Sequence, residues 1–194
     1  MNFLAHLFLS GNSPKIMAGN FMGDFVKGRA SLEKLDPEIV RGVELHRAID
    51  YFTDHHPVVS QSKNRLRPTY RHYAGVIVDV FYDHYLARQW SKYHHLSLED
   101  FAANVYATMQ QLQHLLPESL QQMLPYMIRG NWLVGYSYTE GIQRTLTGMS
   151  RRTTHVSRMD EAINEMRKYD KEFEQEFDAF FPDLQQHAQA FLAR

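Results

Sequence analysis

His6, Asp24, His46, Asp50, Asp54, His55, His56, Asp79, Asp83 and His84 crowd imidazoles and carboxylates into the first 84 positions, much of that stretch otherwise apolar. Such groups rarely lie among apolar residues without a partner. A shared divalent cation would be one, and the chemistry it suggests is hydrolysis by a metal-activated water. The chain has no cysteine. Thiolate sites, disulfides and cysteine nucleophiles are therefore excluded, and any metal is held by nitrogen and oxygen. Such a ligand set suits Mn²⁺, Mg²⁺, Fe²⁺ or Zn²⁺.

Two helices carry most of these groups. In a helix over 36–56, His46 and Asp50 stand one turn apart on one side, and Asp54 extends the row. Ile39 and Val43 share that side, which turns it at least partly inward. Taken alone, this row reads equally well as a His–Asp hydrogen bond on a solvated edge. A second helix, over 68–93, places Asp79 and Asp83 four apart among Val76, Val80 and Ala87, with Ile77 and Phe81 opposite. A helix apolar on most sides is central. Two carboxylates one turn apart there repel, and a cation would reverse the sign. His84, on the flank, could be a ligand or a general acid. His6 and Asp24 could complete the shell. Lys27 and Arg47 lie close enough in sequence to meet a phosphoryl charge, though each reads equally as a surface cation.

The periodicity is helical almost throughout, with no strand alternation and no hairpin signals. Helices are expected over 2–10, 13–26, 36–56, 68–93, 97–116, 118–129, 139–149, 156–180 and 183–193. Ser13-Pro14 and Asp36-Pro37 are entry signals, Pro57 is a stop, and Ser97-Leu-Glu-Asp100 resembles a capping box. Arg151–Thr154 reads as a loop. The 194 residues, 44% hydrophobic, suffice for one domain with a core. The expectation is all-α: a single-domain helical bundle over 1–194.

Net charge is −1, so overall charge carries no signal for nucleic acid or membrane, and neither is expected as a partner. The apolar opening Met1–Ser10 lacks a basic leader and is interrupted by His6. No run approaches the ~18–20 apolar residues that span a bilayer. A cytoplasmic location is expected.

Four segments resemble one family. Met1-Asn-Phe-Leu-Ala-His-Leu7, Gly19-Asn-Phe-Met-Gly-Asp-Phe-Val-Lys-Gly28, His46-Arg-Ala-Ile-Asp-Tyr-Phe-Thr-Asp-His-His-Pro57 and Tyr73-Ala-Gly-Val-Ile-Val-Asp-Val-Phe-Tyr-Asp-His84 look like the acyl carrier protein phosphodiesterases. The resemblance implies hydrolysis of the phosphodiester joining 4′-phosphopantetheine to a serine of holo-acyl carrier protein. It also implies a divalent metal, manganese favoured, and kinship with the all-helical HD-domain phosphohydrolases. The chain contains no His-Asp dipeptide. His46 with Asp50, or the reversed Asp83-His84, would have to serve instead. His6, Asp24, His46, Asp50, Asp79 and Asp83 are the expected ligands. Asp24, inside the family's Gly-Asp-Phe-Val-Lys motif, is carried over as a metal or catalytic residue, and Lys27 belongs to the same motif. His84 or His55 could protonate the leaving serine.

Carrier proteins are acidic, so a basic face is expected. Lys63, Arg65, Arg67 and Arg71 lead into the helix bearing Asp79. Arg144, Arg151, Arg152 and Arg158 form a later cluster that reads equally as loop solvation. Trp132, Tyr136 and Tyr138, with Gly130 and Gly135, read first as core and second as a trough for the pantetheine arm. Two other functions fit the same residues: a phosphohydrolase of nucleotides or another small diester, and a non-catalytic helical module that binds an acidic partner.

Overall fold

The computed structural model describes residues 1–194, the side chain of Arg29 excepted. The described residues are helical with no strand: α1 (Phe3–Phe8), α2 (Pro14–Phe21), α3 (Arg29–Leu32), α4 (Pro37–His55), α5 (Pro57–Tyr70), α6 (Ala74–Arg88), α7 (Leu98–Gln111), α8 (Glu118–Arg129), α9 (Trp132–Gly135), α10 (Thr139–Ser150), α11 (Ile163–Lys168) and α12 (Asp170–Leu192). No helix is long and apolar enough to cross a membrane.

The starts follow the expected capping chemistry. Ser13 accepts from the Ile16 N–H, Asp36 from Glu38 and Ser97 from Asp100, each satisfying a donor that a first turn leaves unpaired. Three boundaries differ from expectation. Pro57 ends α4 but also opens α5, because a proline at the first helical position gives up only an N–H with no partner anyway. Pro68 therefore sits in the last turns of α5, and the next helix begins at Ala74. Residues 156–158 are irregular, and the C-terminal segment splits into α11 and α12. Pro182 does not stop α12. Phe180, Phe181 and Leu184, all 0% exposed, pack on both sides of it and outweigh the ~3 kcal/mol cost of an internal proline.

The central helix is α6, buried from Ile77 to Ala87 apart from Asp79. The helices α1, α5, α10 and α12 surround it, and α4 packs on α2, α5 and α12. The α2–α4 crossing sets the site. Gly19 and Gly42 face each other, and a Cβ on either would press into the partner backbone at the Ile39 or Ile16 carbonyl. Only glycine at both positions lets the two backbones come this close.

Candidate metal centre

That close crossing brings Asn20 of α2 against His46 of α4. The His46 Nδ1–H donates to the Asn20 backbone carbonyl at 2.8 Å. The same asparagine holds His6 of α1, whose Nδ1 donates to Asn20 Oδ1 at 2.8 Å. The amide orientation is fixed on its other side. Asn20 Nδ2 donates to the His6 carbonyl at 2.7 Å and to Ser10 Oγ at 3.0 Å, while the Ser10 hydroxyl donates to that same carbonyl. Gly23 completes the pocket, since a Cβ there would overlap the His46 ring.

With both Nδ1 atoms engaged, both Nε2 atoms turn to one carboxylate. His6 Nε2 is 3.2 Å and His46 Nε2 3.1 Å from opposite oxygens of Asp50. The rings stack at 4.0 Å between centroids and 17° between planes. Asp24 adds an oxygen 3.3 Å from His46 Nε2. The two imidazoles are buried, whereas the Asp24 side chain is 73% exposed and the Asp50 side chain 39%. The cluster is therefore closed from below and open on the carboxylate side.

Burial opposes charge on His46, but Asp24 and Asp50 outweigh it and raise its pKa to about 9. Burial opposes ionisation of Asp50, yet His46, His6 and the Met1 amine hold its carboxyl well below the usual range. The His46 hydrogen bond likewise lowers Asp24. Burial lowers His6, against the pull of Asp50. His6 nevertheless faces only acceptors: Asn20 Oδ1, the Met1 carbonyl at 3.2 Å and Asp50. A neutral imidazole has one N–H and cannot satisfy both sides. Two stacked imidazolium rings would repel. A divalent ion on the two Nε2 atoms would resolve both conflicts. One ligand atom each from His6, His46 and Asp50 lies within 4.8 Å of the others. Bonds of about 2.0–2.2 Å to one ion require only slight contraction from there. The Nδ1 hydrogen bonds are the outer support that metal-bound histidines ordinarily have.

Of the expected ligands, the structure joins His6, His46 and Asp50, with Asp24 at the rim. Asp79 lies alongside, its oxygen 2.9 Å from the Met1 amine, which is also 3.8 Å from Asp50. Asp83 does not join. Both of its oxygens accept backbone N–H groups at the start of α1, from Leu4 at 2.7 Å, Asn2 at 3.2 Å and Ala5 at 3.3 Å. The repulsion between Asp79 and Asp83 is thus met by the positive end of α1 and the amine. His84 is buried, its Nδ1 donating to the Tyr136 carbonyl at 2.7 Å. His55 lies nine residues beyond His46, about 180° round α4, and donates to the Tyr51 carbonyl. Lys27 is exposed, Arg47 donates to the Val26 carbonyl, and Asp54 pairs with Lys63 at 2.6 Å. Asn20 escaped the sequence reading. Its one sequence signal is a place beside Gly19, in a segment that also holds Asp24.

The basic stretches also sort. Arg65 makes a two-pronged pair with Glu176, at 2.7 Å on each arm, and lies over Phe173, so it is structural and not a free docking cation. Arg67 is exposed beside Asn64. Arg151 is exposed, and Arg152 donates to the Gly148 carbonyl. Arg71 and Arg158, one from each stretch, converge on a concavity of about 550 Å³ with His72 and His155 and no carboxylate in its lining. Arg158 is paired with Glu161 at 2.6 Å. Both arginines hold positive φ, 52° and 55°. That conformation is uncommon away from glycine, and such strain concentrates at functional places.

Comparison with known proteins agrees over nearly the full length. A family model described as acyl carrier protein phosphodiesterase matches residues 1–184. A protein of that name from Yersinia enterocolitica is 34% identical over 192 residues, covering 97% of this chain and 98% of the relative. One from Escherichia coli O6:H1 is 32% identical, covering 97% of each. One from Photorhabdus laumondii is 30% identical over 190 residues, covering 97% and 96%. No solved structure matches.

Proposed function

We propose that this chain, which belongs to the acyl carrier protein phosphodiesterase family, hydrolyses the phosphodiester between 4′-phosphopantetheine and a serine of holo-acyl carrier protein. The observation that carries the metal-dependent form of this reading is the pair of stacked imidazoles. Asn20 engages both Nδ1 atoms, and both Nε2 atoms meet Asp50. His6, His46 and Asp50 would hold a divalent cation, Mn²⁺ first, with Mg²⁺ or Fe²⁺ as alternatives. When bound, it would supply a water acidic enough to yield hydroxide near neutral pH and positive charge for the phosphoryl oxygens.

The chain's own residues do the rest. Asn20 keeps the imidazoles in one tautomer. Asp24 remains ionised and exposed beside His46, so it accepts a proton from incoming water and does not donate one. Water oxygen bonds to phosphorus, the bond from phosphorus to the serine oxygen breaks, and that oxygen takes its proton from solvent on the open side. His84 and His55, the donors suggested by sequence, point elsewhere. The acidic carrier would dock on the Arg71–Arg158 concavity, which no carboxylate lines. Kinship with HD-domain hydrolases belongs to the same reading. The test is incubation of the protein with holo-acyl carrier protein and Mn²⁺. Carrier mass falling by one phosphopantetheine supports the reading, and unchanged mass with Mn²⁺ bound contradicts it.

A further inference from the structure

Behind α1 lies a second feature that the metal centre does not use. A cavity of about 240 Å³ opens between Phe3, the aromatic segment around Trp132 and Tyr136, and α10, where Arg144, Thr145 and Gly148 face it. We propose that this cavity seats the pantetheine arm of the substrate while the phosphodiester rests at His6, His46 and Asp50. The proposal depends on the reaction inferred above.

Position is the first argument. Phe3 and His6 are three apart on α1, so their Cβ atoms are neighbours at about 5–6 Å. One residue thus walls the cavity and the next on that helix face would hold the metal. Asn2, beside Phe3, has a buried Nδ2 with no hydrogen-bond partner. On the far wall, the Tyr136 carbonyl receives His84 of α6, the residue after Asp83, which caps α1. Cavity and cluster are therefore joined through rigid elements.

The lining chemistry is the second. Phe3 and Trp132 give apolar surface. The side-chain polar groups are the Trp132 indole N–H, the Tyr136 and Thr145 hydroxyls and the arginine guanidiniums, with no carboxylate among them. Tyr136 is 3% exposed. Burial raises its pKa well above the usual value, so it stays a donor. Pantetheine is the complement: methyl and methylene groups, two amides and hydroxyls whose oxygens accept. A lining without acid does not suit a cation.

The third is unused room. Gly141 is required by packing, since a Cβ there would strike the Gly135 carbonyl. Gly135 and Gly148 have nothing within 4 Å of where a Cβ would stand. Glycine inside α10 weakens the helix, and no packing contact calls for it at Gly148. What its bareness preserves is space.

The experiment adds D-pantetheine, the arm without phosphate, to the full chain in EDTA and follows the Trp132 indole N–H by NMR, assigned with Trp132→Phe. The proposal expects a saturable shift of that resonance. It also expects at least tenfold weaker binding in Gly148→Leu, with Thr145→Leu as a second cavity-filling variant if the first loses helical circular dichroism. No shift in the wild type, or equal affinity in wild type and a folded variant, overturns the assignment. Holo-carrier left intact by wild type with Mn²⁺ overturns the reaction instead. The two failures are distinct, because pantetheine binding is read without metal and without turnover.

Discussion

Asp50 and Asp83 are the same residue type, each one helical turn after another possible ligand, and both reach α1. Asp50 meets a side chain of that helix, His6; Asp83 meets its backbone. The backbone N–H groups fill Asp83: it is 0% exposed, and burial, partly offset by the amine and those N–H groups, lifts its pKa to about 7. It caps a helix. The imidazoles leave Asp50 incomplete: Asn20 engages both Nδ1 atoms, and only the two Nε2 atoms and the Met1 amine meet a carboxylate that is still partly open to solvent. The nature of the donor, more than burial or sequence spacing, separates the helix-capping carboxylate from the one proposed to hold the ion.

Substitution at each carboxylate separates the two roles most strongly. Asp50→Ala and His46→Ala are expected to lower turnover of holo-carrier by at least ~10³-fold. They should also abolish Mn²⁺ binding in calorimetry with the helical spectrum intact. Asp83→Ala should instead cost about 2–4 kcal/mol of stability through three unpaired N–H groups, read as a lower melting temperature. Its folded fraction should still bind Mn²⁺. Metal loss confined to Asp83→Ala would invert the assignment.

The difference between these carboxylates marks where sequence stops being legible. Helix content, the caps at Ser13, Asp36 and Ser97, and the row His46–Asp50 follow from local pattern, which three- and four-residue spacings encode directly. That Asp83 serves α1 depends on where the chain returns 79 residues away from Leu4. No periodicity carries that. Arg65 reads as a docking cation in the sequence because its partner Glu176 lies 111 residues further on. Asn20 was missed because an asparagine acting through both its amide and its carbonyl has no motif. Gly19 and Gly42 are the traceable cause, yet two glycines on different helices reveal their contact only after folding.

Asn20→Leu sharpens the comparison from the imidazole side. It removes the Oδ1 acceptor that orients His6 and should weaken Mn²⁺ binding about 10–100-fold, in the range of lost outer-shell partners. Unchanged affinity would mean that Asp50 alone orients the rings. pH gives the next test. In EDTA, the raised His46 pKa favours the folded state fully below about 6.5 and is lost as pH rises through about 9. Melting temperature should therefore decline across that window, by an amount equivalent to at most ~3 kcal/mol. With Mn²⁺ the decline should flatten or reverse, because the ion takes the neutral ring. The smallest effect is at the basic concavity. Arg71→Glu should raise KM for the carrier a few-fold at low salt with kcat preserved. Arg65→Glu should mainly lower stability by breaking its pair with Glu176.

His6, His46 and Asp50 are proposed to share one divalent ion. A crystal grown with Mn²⁺ and measured at the manganese absorption edge tests it most directly. An anomalous peak bonded to both Nε2 atoms and an Asp50 oxygen, at about 2.0–2.3 Å, is expected. Manganese bound at Asp83 and His84, or no peak at the stacked imidazoles with the metal at saturating concentration, would contradict it.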